Sequence, residues 1–243
     1  VSTEKKTFEE YAKYVIDLKE KNGAKHRTIY RYKSLLERVI DVNNNGIGHL
    51  KLQDIRADHL NKLYMTLSQE GQNQVTGGGL SSKTILEHHR FISTVLSQAV
   101  KEQLLQYNTA QRATPPKVPK HEAECFEIED IQAIIKAVEN KPLKWQSMIN
   151  LFITTGARRG EILGLQWQSV DFKHNKLYLC NNLLYSPEKG VYSTTLKTGE
   201  NRYVSVPQYA MDILKQWRDE QATIAYALDD EWTDTNYVFT QEN

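Results

Sequence analysis

The stretch TPPKVPKHEAE at residues 114–124 limits the fold more than any other part of this chain. Pro115, Pro116 and Pro119 remove backbone donors and hold φ near the extended range, so neither a helix nor a central strand can run through the stretch. The segments on its two sides must therefore fold separately. It predicts a first domain at 1–112, a linker at 113–124 and a second domain at 125–243. With 243 residues the chain has room for two such cores without metal or disulfide support.

Upstream of the linker the apolar residues repeat at helical spacing. Phe8, Tyr11, Val15 and Leu18 predict a helix starting after Thr7. Ile29, Tyr32, Leu36, Val39 and Ile40 predict a second over 26–40, closed by the turn-forming run NNNGIG at 43–48. Leu60, Leu63, Tyr64 and Leu67 mark a third over 57–68. Residues 71–79 end in three glycines and predict a flexible loop. Ser81 or Ser82 then caps a long helix reaching about residue 105, with Ile85, Ile92, Leu96 and Val100 inward. The first domain reads as all helical.

Downstream the pattern changes. Helices are expected at 128–139 and 143–155, followed by a short one in TTGARRGEILGLQW at 154–167. Alternating and β-branched runs at 176–182, 191–196 and 202–206 predict a small antiparallel sheet. A helix over 209–226 follows, and YVFT near the end starts a strand or a loop. The fold class is mainly α, with its β-structure confined to the second domain.

Charge divides along the same boundary. Residues 1–120 carry 19 Lys and Arg against 12 Asp and Glu, and residues 121–243 carry 12 against 18. A basic half suits a phosphate-bearing partner, although a solvated helical face gives similar counts. No apolar run approaches the ~20 residues that a membrane helix needs, so no membrane partner is expected. Cys125 and Cys180 lack metal or redox spacing, which fits a reducing, cytoplasmic setting, and the charged opening VSTEKKTFEE is unlike a secretory signal. Val1 in place of Met suggests a fragment.

The residues that carry chemistry lie in the second domain. Gly156 permits a tight turn, and Arg158 precedes Glu161 by three residues and Ile162 by four, so its stem is expected to share their side and point partly inward. A guanidinium drawn toward a core needs a partner; Glu161 can supply one and leave donors free for an anion. Taken alone, the stretch admits a purely structural Arg158–Glu161 pair. Arg159 is rotated away, toward solvent or a nucleic-acid backbone. The pattern T-G-x-R-x-x-E, then L-x-L-x-W, then Asp171 resembles the first catalytic arginine box of the tyrosine recombinases, the phage-integrase family. By that resemblance, Arg158 binds the non-bridging oxygens of a scissile phosphate.

A second match is TLKTGENRYVSVP at 195–207. Its residues predict two strands about a tight T-G-E-N turn, with Val204 and Val206 alternating against Tyr203 and Ser205 and Lys197 at the bend. Lys197, Thr198, Gly199, Arg202, Val204 and Pro207 are similar to the family's lysine hairpin, while Asn201 and Ser205 stand where Ser and Pro are usual. The resemblance implies that Lys197 protonates the leaving 5′ oxygen. It also implies a SAM-like helical DNA-binding module before the linker and a partial α+β catalytic domain after it. Lys25, His26, Arg27 and Thr28 on the second helix, with Lys83, His89 and Arg90 on the long one, are then candidate DNA contacts, and Arg159 joins them.

The family's H-x-x-R box and nucleophilic tyrosine are not found after Pro207, so the 243 residues are expected to be inactive by themselves. The implied function is site-specific DNA recombination for a mobile element, by transesterification through a tyrosine; a non-catalytic DNA-binding regulator of the same architecture is the alternative. The implied partners are double-stranded attachment sites, three further copies in a DNA-bound homotetramer, and accessory directionality proteins. No metal and no cofactor are expected.

Overall fold

The computed structural model describes residues 6–120, 125–196 and 199–240. The chain separates into two compact units, Val1–Glu122 and Ala123–Asn243.

The first unit is built on helices α1 (Phe8–Lys21), α2 (His26–Ile40), α3 (Ala57–Leu67) and α4 (Ser82–Lys101). Thr7 caps α1 through a reciprocal box: its Oγ1 accepts from the Glu10 amide at 3.3 Å, and its own amide donates to the Glu10 carboxylate at 2.9 Å. Ser81 caps α4 in the same region of backbone space, its Oγ accepting from the Thr84 amide. Phe8, Tyr11, Ile29, Leu60, Leu63, Ile85, Phe91 and Leu96 are buried in one core. Each such side chain contributes about 1.5–3 kcal/mol relative to exposure. The helix over 82–101 stops short of the expected residue 105 because Gln103 adopts φ +60°, which a right-handed helix cannot include.

The loop at 71–79 has a fixed shape, contrary to the expectation from its glycines. The Gly71 amide donates to the Gly77 carbonyl at 2.7 Å and the Asn73 amide to the Gly78 carbonyl at 2.8 Å, while the Asn73 side chain accepts from the amides of Val75 and Thr76. A Cβ on Gly79 would stand 2.0 Å from the Ser68 carbonyl oxygen. Here glycine serves close approach of two backbone segments, and flexibility is not its use.

The second unit contains α5 (Ile128–Val138), α6 (Leu143–Thr155), α7 (Arg159–Leu163) and α8 (Gln208–Leu228), with strands β1 (Val170–Asp171), β2 (Lys176–Leu179), β3 (Asn181–Ser186), β4 (Gly190–Thr195) and β5 (Arg202–Ser205). Among the described residues two sheets form where one was expected: β1-β2-β5, antiparallel throughout, and the separate hairpin β3-β4. The apolar run over 176–182 is divided at Cys180, and its halves join different sheets. Leu177 and Leu179 face the core while the Tyr178 and Tyr203 rings meet on the other face, 4.7 Å between centres and tilted by 35°. The core continues through Leu151, Ile162, Leu165, Leu214 and Trp217 to Val238 and Phe239. The YVFT segment is tied down: the Val238 amide donates to the Leu165 carbonyl, and the Trp217 indole N–H donates to the Val238 carbonyl at 2.8 Å.

Candidate functional site

Helix α6 ends at Gly156, whose φ of +60° reverses the chain in the left-handed region that glycine favours. Arg158 comes next but one, in extended conformation (φ −69°, ψ 150°), as the residue capping α7. Being outside the helix, it does not share the inward side of Ile162, and the expectation of a partly inward guanidinium is corrected: the Arg158 side chain is 52% exposed, whereas Glu161 is 1% exposed. The carboxylate is the buried member of the pair.

Two arginines converge on that carboxylate. Arg158 donates its backbone N–H to Glu161 Oε2 at 2.9 Å and its Nη1 to Oε1 at 2.9 Å. Arg202, at the start of β5, donates Nη2 to Oε2 at 2.7 Å and Nη1 to Oε1 at 3.2 Å. Four donors thus fill the four lone-pair directions of one carboxylate. The Arg202 hydrogen bonds lead in holding the Glu161 pKa down to about 2 against the opposing effect of burial, with the Arg158 contacts adding to them. The guanidinium of Arg202 is in turn held more firmly protonated by Glu161. Among the described residues, the guanidinium of Arg158 makes no other hydrogen bond, so most of its five N–H donors face solvent.

Close packing fixes where this cluster sits. A Cβ on Gly160 would lie 2.1 Å from Asn182 Oδ1 and 2.8 Å from the Leu183 carbonyl oxygen, and one on Gly164 would lie 3.0 Å from the Asn181 carbonyl oxygen. Helix α7 therefore rests directly on β3. Asp171 closes the turn after β1 by accepting from the amides of Lys173 and His174, both at 3.0 Å.

Lys197, and Thr198 beside it, lie outside the described residues. The predicted hairpin around them is corrected: β4 pairs with β3 and β5 pairs with β2, so the strands on either side of the T-G-E-N stretch are not partners. Arg202 is a site residue that sequence reasoning missed, yet a signal was present. It shares strand parity with Val204 and Val206, and an arginine on the inward face of a strand calls for a buried acid. The roles of Gly160 and Gly164 depend on which strand passes beneath α7 and had no local signal.

Apart from Arg159 on α7, the remaining candidates are in the first unit, at the start of α2 and on α4, which pack together through Tyr32 and Phe91 at 5.2 Å and are bridged by an Arg31–Glu87 ion pair. Lys25 caps α2 without a side-chain cap bond, and the first turn of that helix carries no acidic residue. Arg27 and Thr28 are exposed, as are Lys83 and Arg90 on α4 and Arg159 on α7; His26 is half-buried. His89 is also half-buried; its Nδ1 shares a hydrogen bond of 2.9 Å with the Tyr64 hydroxyl, and burial lowers its pKa. Its neighbour His88 is buried and bonds the Thr84 carbonyl through Nδ1. Among the described residues, no group of three or more His, Cys, Asp or Glu side chains is placed to share a metal ion, and no helix is long and apolar enough to cross a membrane.

Comparison with known proteins gives two family matches: the phage integrase SAM-like domain over residues 7–114 and the phage integrase family over residues 124–243. A tyrosine recombinase XerC-like protein of Caldanaerobacter subterraneus subsp. tengcongensis is 29% identical over 222 residues, covering 83% of this chain and 54% of that protein. The chain therefore spans about half the length of this relative. Among solved structures, the Tn1549 transposon integrase in complex with a circular intermediate DNA superposes with a TM-score of 0.73 at 16% identity, over 98% of this chain and 72% of that one. A lambda integrase tetramer bound to a Holliday junction gives 0.63 at 15% identity, over 88% and 56%.

Proposed function

The chain belongs to the phage integrase family of tyrosine recombinases, and from that premise we propose that it is the DNA-clamping and phosphate-binding part of a site-specific recombinase of a mobile element. The observation that carries the proposal is Arg158: it is fixed by its own backbone and one Nη to a buried carboxylate, and among the described residues its remaining donors have no partner.

Transesterification of a phosphodiester passes through a crowded, more negative phosphorus centre. Donors already fixed in place stabilise that charge without reorganising. In the proposed reaction a tyrosine hydroxyl attacks phosphorus as its proton passes to water, the bond to the 5′ oxygen breaks, and Lys197 gives that oxygen a proton. Arg158 holds the two non-bridging oxygens meanwhile. The phosphotyrosine keeps the bond energy, so the reverse step rejoins the strand and no external energy source is consumed. The H-x-x-R box and the tyrosine are not among these 243 residues, so we propose that they bind DNA without cutting it.

The first unit supplies the clamp in this proposal. The start of α2 offers the positive end of the helix dipole and the cations Lys25, His26 and Arg27, with Thr28 beside them and no acidic residue in the first turn, and Lys83, His89 and Arg90 extend the basic surface along α4. Arg159 contributes a backbone contact from the second unit. The natural partners would be double-stranded attachment sites, with four protomers assembling on DNA and accessory proteins setting direction, in the cytoplasm. The Tn1549 and lambda integrase structures, bound to their DNAs, support the first two of these.

The test is Arg158→Lys in the protein expressed from its complete gene. A suicide duplex carrying the attachment site should be bound as before and cleaved at least a hundredfold more slowly, because an ammonium cannot span two oxygens as a guanidinium fork does. Cleavage at the parental rate would remove Arg158 from the mechanism.

A further inference from the structure

We infer that Arg202 is a positioning residue whose task is to keep Arg158 open to phosphate; the inference rests on the role proposed above for Arg158. A buried carboxylate three residues from an arginine at a helix start is a trap, because fork-on-fork pairing would take one whole edge of the guanidinium and neutralise the charge that attracts a phosphate. In this structure the trap is already occupied. Arg202 places one Nη on each Glu161 oxygen, and the Arg158 backbone N–H takes a further site on Oε2. Among the described residues, what remains for the Arg158 side chain is a single contact through Nη1.

The charges lead the same way. Two guanidiniums and one carboxylate leave a net charge of +1 at the exposed edge, where Arg158 is half in solvent. Without Arg202 the sum falls to zero, and Glu161, buried and short of two donors, turns to the nearest one available, which is Arg158. A phosphate would then meet a neutral pair with one guanidinium edge already taken. Removing Glu161 as well restores both the charge and the open edge, so the effect of Arg202 should vanish when Glu161 is absent. A merely structural arginine would behave differently, since its loss would cost the same or more in that background.

The experiment is a double-mutant cycle in the protein expressed from its complete gene, read as the rate of suicide-duplex cleavage. Tryptophan emission confirms that each variant is folded. Arg202→Gln should slow cleavage tenfold or more with Glu161 present and less than threefold in the E161Q background, and the E161Q/R202Q protein should cleave faster than R202Q alone. Equal losses in both backgrounds, or parental cleavage by R202Q, would overturn the inference. Should R202Q fail to reach native emission, Arg202→Met, similar in length and without polar atoms to satisfy, takes its place in the same cycle. Arg158→Ala is the control that separates the two claims. If it cleaves normally, the proposed role of Arg158 fails. If it is inactive while R202Q is not, the role of Arg158 stands and that of Arg202 falls.

Discussion

Replacing Glu161 with Gln removes one charge from the buried junction of Arg158 and Arg202 while keeping the shape of the side chain, and the structure sets the size of the effect. The Glu161 pKa falls from its ordinary 4.5 to about 2. A depressed carboxylate stabilises the folded state wherever the unfolded chain is already ionised, and loses that stabilisation as pH drops through the folded value. At pH 7 the whole difference applies, about 3 kcal/mol at roughly 1.4 kcal/mol per pH unit. By pH 3 the unfolded chain is mostly protonated and about 1 kcal/mol remains. The glutamine mimics the neutral carboxyl, so the gap between parent and E161Q should shrink from about 3 to about 1 kcal/mol between pH 7 and pH 3. The assay is urea unfolding followed by tryptophan emission. All four tryptophans, Trp145, Trp167, Trp217 and Trp232, belong to the second unit, so the signal reports that unit alone. A gap under about 1 kcal/mol at pH 7, or one that holds constant down to pH 3, would refute the assignment of Glu161 as a doubly paired buried charge.

Two more outcomes are expected. Gly160→Ala forces a methyl against the Leu183 carbonyl oxygen, so it should cost about 1–3 kcal/mol in the same urea assay, in the range of other overpacked contacts; an unchanged midpoint would show that α7 does not rest on β3. Arg27→Ala should weaken binding to duplexes of any sequence alike and lower the slope of log K against log salt by about 1, as for one lost phosphate contact, when measured by fluorescence anisotropy on the whole chain. An unaltered slope would take Arg27 out of the clamp.

What could be deduced from the sequence depended on the range of the interaction involved. Helix starts and apolar stripes are local, and the helices at 8–21, 26–40 and 57–67 were legible from the capping Thr7 and from residues spaced three and four apart. The Arg158–Glu161 contact was legible for the same reason, at a spacing of three. Its sense was not, because an arginine at a cap position obeys the extended backbone before the helix and not the helix periodicity after it. Strand pairing is non-local: the runs at 191–196 and 202–206 are β-forming in either arrangement, and nothing in their own residues reveals that one pairs with β3 and the other with β2. The loop at 71–79 misled for a related reason, since glycine content alone does not distinguish freedom from close contact, and the Ser68 carbonyl that decides it is supplied by another turn.

The division of β4 and β5 between two sheets bears on how this second unit can diversify. In a hairpin, the two arms must arrive side by side, and the connecting turn is restricted to the few lengths that match their twist. Here each arm is anchored to its own neighbour, at Leu183 and Leu184 on one side and at Tyr178 and Leu179 on the other. A codon gained or lost between the two anchors disturbs neither ladder. Descendants of this gene can therefore alter the length of the intervening segment by small insertions and deletions while the arginine at the start of α7 stays where it is.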